Sequence, residues 1–262
     1  MIDIHIDENG SEWQLGCKPR VADPGMVLPR FSDRFPVLPR SEWKPTESRR
    51  HLVHRILDQN GTSGCVGAGV VQAFEDTAFA LHGQKIKLSL GSLYGQINGQ
   101  RDAGANIGDA LTAMDDVGVC DEELIPSLEW QRRKWPSDWQ KNAKHNRVLE
   151  AYDCPTFAEM ATANQRGFML VFGILIGNDF RVESDGWLPD YKRGGGGHCM
   201  AGIGLCWHET RKVWGIDSPN SWRETWGDNG YSIVPESYFA ESPYTDGWAI
   251  RVVTMRDLIA ND

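Results

Sequence analysis

Cys65 sits in a setting that suits a nucleophile. It follows Asp58-Gln59-Asn60-Gly61-Thr62-Ser63-Gly64 and opens a run in which Val66, Val70, Phe74, Thr77 and Leu81 recur at helical spacing. A thiol in the first turn of a helix lies against unpaired N–H groups and the positive end of the macrodipole, both of which favour the thiolate. Taken alone, Cys65 is equally a small apolar residue packing a helix. Gln59 stands six residues earlier, across a turn of glycine and small polar residues. Its side-chain amide could join the Cys65 N–H as an oxyanion hole; without that context it is a turn-stabilising group. His198 follows the run Gly194 to Gly197, which leaves its imidazole uncrowded. A histidine opening a strand can also be merely structural. Thiol, amide and imidazole together would serve acyl transfer through a thioester.

The fourth element is Asn220-Ser221-Trp222-Arg223-Glu224-Thr225-Trp226-Gly227-Asp228-Asn229-Gly230-Tyr231. It resembles the Asn-Ser-Trp-Gly-x-x-Trp-Gly-x-x-Gly-Tyr string of the papain-like cysteine peptidases, with Arg223 in place of the first glycine. The cysteine-to-histidine separation of about 130 residues also fits that family. Leu88-Ser89-Leu90, Leu93-Tyr94 and Gly118-Val119 are similar to segments of its bacterial and viral branch. The resemblance implies an α+β, two-lobe fold with the substrate in the cleft between lobes. It implies Cys65 as nucleophile, His198 as its proton partner, Asn220 as the residue orienting the imidazole, and Gln59 as oxyanion donor. Asn220 is preferred to Asp217 because it alone has the Ser-Trp context, and Trp222 would shield the His198–Asn220 bond. No metal or cofactor is required.

The same resemblance places substrate contacts at Gly64, Gly197 and Trp222. It offers Gly104 or Gly108 as backbone pairing with an extended peptide, and Gly173 with Cys199 as the border of the pocket for the second substrate residue. Thr62 stands where papain has a disulfide cysteine. Val66 replaces a large aromatic residue, and Cys199 is expected on the core side of its strand.

These residues need particular elements to position them. The pattern predicts a helix from Ser63, capped by Ser63 or Thr62 and stopped by Gly83, and a second from Ile107 to Val117 stopped by Gly118. Phe168 to Ile176 is a continuous apolar run, Cys199 to Leu205 alternates, and Val213 to Ile216 and Tyr231 to Val234 are short apolar pieces; all four read as strands. Residues 1–57 carry six prolines from Pro19 to Pro45 and form an extended arm packing on the body. Residues 58–262 form the catalytic domain: a helical lobe over about 58–125, a connector at 126–147, and a β-rich lobe at 148–262. The connector interleaves Trp130, Trp135 and Trp139 with basic residues and reads as a solvated link with its tryptophans packed down.

Composition narrows the partners. A net charge of -9 over 262 residues argues against nucleic acid, whose phosphates need clustered cations, and no apolar run is long enough to span a membrane. The N-terminus has no signal-peptide pattern, and the six cysteines are read as reduced. The expected location is cytoplasmic or particle-associated. His51 and His54 lack the neighbours of a metal site. The expected partner is a peptide or protein substrate. Two other readings stay open: a structural or interaction subunit of a larger assembly, and a cell-wall amidase or transferase using the same four residues.

Overall fold

The computed structural model describes residues 3–20, 28–192, 194–240 and 246–254. The chain opens with β1 (Asp3–Ile6) and β2 (Glu12–Leu15), followed by α1 (Cys65–His82), α2 (Leu90–Ile97), α3 (Ile107–Asp116) and α4 (Gln140–Ala143). Then come β3 (Arg147–Asp153), α5 (Phe157–Gln165), β4 (Met169–Ile176), β5 (Gly196–Gly202), β6 (Gly204–His208), β7 (Val213–Pro219), β8 (Tyr231–Pro235) and β9 (Asp246–Thr254). The strands form a β1-β2 hairpin, a sheet ordered β3-β9-β4-β5 and a sheet ordered β6-β7-β8, all antiparallel. This is the α+β arrangement of helices first and sheets after.

The four-stranded sheet is covered on both faces. Met169 and Val171 of β4 join the core of α1, α2 and α3, whereas Leu170, Phe172 and Ile174 join a second core with Ile216, Trp222 and Val234. A strand buried on both sides reads as unbroken apolar sequence, which is why residues 168–176 show no alternation. The same geometry corrects the reading of residues 199–205. β5 begins three residues earlier, at Gly196, and every one of its residues is buried. It ends at Gly202, and β6 starts beyond Ile203. β3 and β9 lie outside the strands expected from sequence.

α1 is the central helix, and its residues from Cys65 to Ala78 are all buried. Gly69 lets it press on β5, because a Cβ there would come within 2.8 Å of the Cys199 sulfur. The helix ends at left-handed Gly83, as the pattern expects. Neither Ser63 nor Thr62 caps its start, however; the N-cap is Gly64, with no side-chain cap. α3 ends at Asp116, just before left-handed Gly118. Among the connector tryptophans, Trp135 is buried, and Trp130 and Trp139 are half-buried. No helix among the described residues is long and apolar enough to cross a membrane.

Arginines join the segment before α1 to the body. Arg50 reaches Asp217 at 3.0 Å and Asp228 at 2.6 Å, with its guanidinium 4.5 Å from the centre of the Tyr231 ring. Arg55 pairs with fully buried Glu75 at 2.6 Å. Removing one partner strands a carboxylate in the interior, which costs about 3–5 kcal/mol. Arg50→Ala is therefore expected to lower the urea midpoint strongly, whereas Lys141→Ala, which removes an exposed pair, leaves it within error.

Candidate active site

The first turn of α1 leaves its N–H groups for the thiol. Thr62 accepts from the Gly64 N–H at 3.3 Å and donates to the Gln59 carbonyl at 2.7 Å, and the Ser63 hydroxyl turns to the Gln14 side chain at 2.9 Å. The backbone N–H groups of Cys199, Gly16, Val66 and Cys65 itself bear on the Cys65 sulfur. They favour the thiolate, but burial outweighs them and pushes the thiol up to about 11. Cys65 is fully buried.

His198 lies on β5, one residue before the Cys199 whose N–H bears on that sulfur. Its Nε2 and the Asn220 Oδ1 are 2.8 Å apart, which makes Nε2 the protonated nitrogen, because an amide oxygen only accepts. Nδ1 is buried and has no hydrogen-bond partner among the described residues. The Trp222 ring centroid is 4.7 Å from that of the imidazole. Burial pulls His198 down to about 4, Asn220 opposes this, and a charge on His5 adds to it. Asn220 is fixed by the end of β7 and by its N–H donating to Gly230 at 2.8 Å. Asp217, the other candidate, turns away to Arg50.

The orientation of Gln59 follows from its partners. Its Oε1 accepts from the Ser221 hydroxyl at 2.8 Å and from the Trp222 indole at 3.2 Å. An indole N–H can only donate, so the amide nitrogen must point the other way. That nitrogen donates to the Thr62 carbonyl at 2.6 Å and to the Gln14 carbonyl at 2.9 Å. Arg223 adopts φ +72°, the left-handed region that glycine enters without strain, so the glycine at this place in the related string has a conformational reason. Its guanidinium bonds Asp58 at 2.8 Å and Asn60 at 2.9 Å and lies over Trp13.

The Gln14 carbonyl belongs to the N-terminal arm, which runs through the site. Trp13 stacks on Trp222 at 5.4 Å, and His5 stacks on Trp222 at 5.1 Å. After β2 the backbone continues beside residue 105: the Ala105 N–H donates to the Gly16 carbonyl at 2.8 Å, and Lys18 N–H donates to the Ala105 carbonyl at 2.9 Å. Cys17 and Ala105 form a parallel bridge, and the Cys17 N–H donates to the Gly197 carbonyl at 3.0 Å. Gly104 is left-handed, and a Cβ there would fall 2.1 Å from the Gly16 carbonyl oxygen. Tyr94 sets this loop by donating to Asp102 at 2.7 Å and accepting from Gly104 N–H at 3.1 Å.

The structure thus brings together Gln59, Gly64, Cys65, Gly197, His198, Cys199, Asn220 and Trp222, with Gly104 at the edge. Gly108 lies inside the first turn of α3, and the backbone that pairs with the arm is that of Ala105. Gly173 is opposite Cys199 on the neighbouring strand. His51 contacts the Ser48 carbonyl and His54 lies 3.5 Å from Glu75; no cluster of metal-ligating side chains occurs among the described residues. The residues that sequence reasoning missed are His5, Trp13, Gln14, Gly16 and Ser221. The alternation of Trp13 and Leu15 with Glu12 and Gln14 was an available strand signal for β2.

Residues 40–240 match the model of the papain family of cysteine proteases. A peptidase C1-like protein of Acanthamoeba polyphaga mimivirus is 30% identical over 172 residues, covering 58% of this chain and 53% of that protein, so the chain spans about half the length of that curated relative. Xylellain, a cysteine protease from Xylella fastidiosa, superposes with a TM-score of 0.71 at 17% identity, covering 96% of this chain and 98% of its own. The digestive procathepsin L 3 of Tenebrio molitor larval midgut superposes at 0.68 and 16% identity, covering 87% of this chain and 75% of its own. With the family model matching most of its length, the chain belongs to the papain family of cysteine proteases.

Proposed function

We propose that the protein is a thiol peptidase whose N-terminal arm holds it latent. The observation that supports the chemistry is the buried His198–Asn220 bond, with an Nδ1 that has no partner among the described residues, together with a thiol at an uncapped helix start. Cys65 attacks the substrate carbonyl, and the oxyanion is held by the Gln59 amide and the Cys65 N–H. His198 passes the thiol proton to the leaving amine, giving a thioester. Water then attacks the thioester, with His198 as base, and the acid leaves. Asn220 keeps the imidazole in the tautomer and orientation both steps need. The chain divides for this purpose into the arm (1–57), a helical lobe bearing Cys65 and a β-rich lobe bearing His198 and Asn220.

The support for latency is that the Gln14 carbonyl occupies the Gln59 donor and Cys65 is fully buried. In this closed state the proton stays on sulfur, because burial raises the thiol and lowers the imidazole. Replacing a buried Trp by Ala costs about 3–5 kcal/mol, so Trp13→Ala should speed epoxide labelling of Cys65 by at least about 100-fold. An unchanged rate would refute latency. In the Trp13→Ala background, peptide libraries should be hydrolysed. Cys65→Ala should remove that hydrolysis, and Gln59→Ala should lower kcat/KM by about 10²–10³. No hydrolysis of any peptide, together with an unlabelled Cys65, would sink the peptidase reading.

Acid should open the arm. The closed state holds His198 neutral down to about 4 against an ordinary 6.5, and burial lowers His5 too, so both imidazoles take up protons on opening as pH falls below 6.5. Asp246, raised to about 6 by burial although Arg20 pulls it down, loses that pull when the arm withdraws Arg20 and so adds to the proton uptake. The full chain's labelling rate, divided by that of Trp13→Ala at each pH, should therefore rise from pH 6.5 to 5. A flat ratio would contradict the coupling.

A further inference from the structure

The arm leaves one side chain in a site whose chemistry it discloses. Arg20 lies three residues beyond Cys17, and its two terminal nitrogens each bond one oxygen of Asp153 at 2.7 Å. The same guanidinium reaches Asp246 at 3.5 Å and lies 5.0 Å from the centre of the Trp248 ring. Two carboxylates and an aromatic face form a cradle matched to a planar cation. Asp246 is nearly completely buried, with its side chain 3% exposed. Across the sheet it pairs with Gly173, which pairs with Cys199, the residue after His198, so the cradle lies two strands from the reacting groups.

We propose that this cradle is a substrate pocket, and that a peptide displacing the arm places an arginine or lysine side chain on Asp246 and Asp153 where Arg20 now sits. This rests on the peptidase reading and adds its substrate class: basic peptides, read at one position on the Cys17 side of the cleft. Once Arg20 withdraws, Asp246 is left buried beside a second carboxylate with no cation, and a neutral side chain would leave that charge unanswered. Burial already raises Asp246 to about 6 with Arg20 in place, the Arg20 charge pulling it down and Asp153 pushing it up. The pocket bordered by Gly173 and Cys199 is therefore floored by charge, not by the apolar surface their neighbours would suggest.

Two measurements on the full chain carrying Arg20→Ala test this, with thermal melting to verify folding. In the first, agmatine is titrated and followed by calorimetry. Saturable binding that is absent in the Arg20-containing chain and lost in Arg20→Ala/Asp246→Asn supports the cradle; no saturation overturns it, whatever the enzyme does. In the second, with Trp13→Ala added to open the arm, fluorogenic peptides varied at each of the four residues before the scissile amide are compared within each protein sample. The ratio of kcat/KM for arginine over leucine should reach at least about tenfold at one position and collapse toward unity with Asp246→Asn. Cleavage with no basic preference at any position overturns the proposal while leaving the peptidase reading intact. Agmatine binding without hydrolysis of any peptide keeps the cradle as a guanidinium site and refutes the peptidase reading instead. If Arg20→Ala melts out, Arg20→Gln, which keeps a long side chain over Trp248 but carries no cation, replaces it in both measurements.

Discussion

Everything at the centre of this molecule depends on how N–H groups are distributed around one sulfur. A helix start ordinarily spends its unpaired donors on a capping side chain. Here Thr62 and Ser63 bond elsewhere, and the donors of α1's first turn, with the Cys199 N–H from β5, bear on Cys65. That requires α1 and β5 to press close together, which Gly69 permits, and it requires β5 to be buried on both faces so that His198 arrives at a fixed place. The second core, with Trp222 and Phe180 against the imidazole, then holds Asn220 on Nε2.

A desolvated thiol and imidazole are poor partners for charge separation, and the proposed latency rests on this. With Trp13 and His5 stacked on Trp222 and backbone from Gln14 to Lys18 bonded along the cleft, water is excluded and both groups are neutral at ordinary pH. On the proposed reading, the arm uses the donors and acceptors that an extended peptide would need: the Gln59 side-chain amide, both backbone polar groups of Ala105 and the Gly197 carbonyl. Occupying them with its own chain satisfies buried polar groups that an empty cleft would leave to solvent.

The site was far more legible in the sequence than the arm's placement. Gln59, Cys65, His198 and Asn220 each sit in a short string whose residue types are dictated locally: glycines before the histidine, a turn before the helix, a Ser-Trp pair after the asparagine. The bridge beyond β2 leaves little trace, because residues 16–18 are held through backbone atoms, which carry no side-chain signature. Helix capping was misread for a different reason: Ser63 and Thr62 are good capping residues by type, but the Gln59 carbonyl of the same turn takes the Thr62 hydroxyl and the distant Gln14 side chain takes that of Ser63. Alternation in residues 199–205 marked a strand but not its bounds, nor that two cores enclose β5. The place of Gly104 beside the arm required the fold, since its left-handed turn precedes the Ala105 that bonds Gly16 and Lys18.

Competition between arm and substrate for one set of backbone partners is the central claim, and amide hydrogen exchange at Cys17 and Lys18 tests it most directly. Their N–H groups are bonded to Gly197 and Ala105 in the closed chain and should be strongly protected. When a peptide aldehyde is added to bind Cys65 covalently, both should lose that protection while the Ala105 amide keeps its own through the new ligand. Protection of Cys17 and Lys18 that persists with the aldehyde bound would show that arm and substrate occupy different places, and would contradict it.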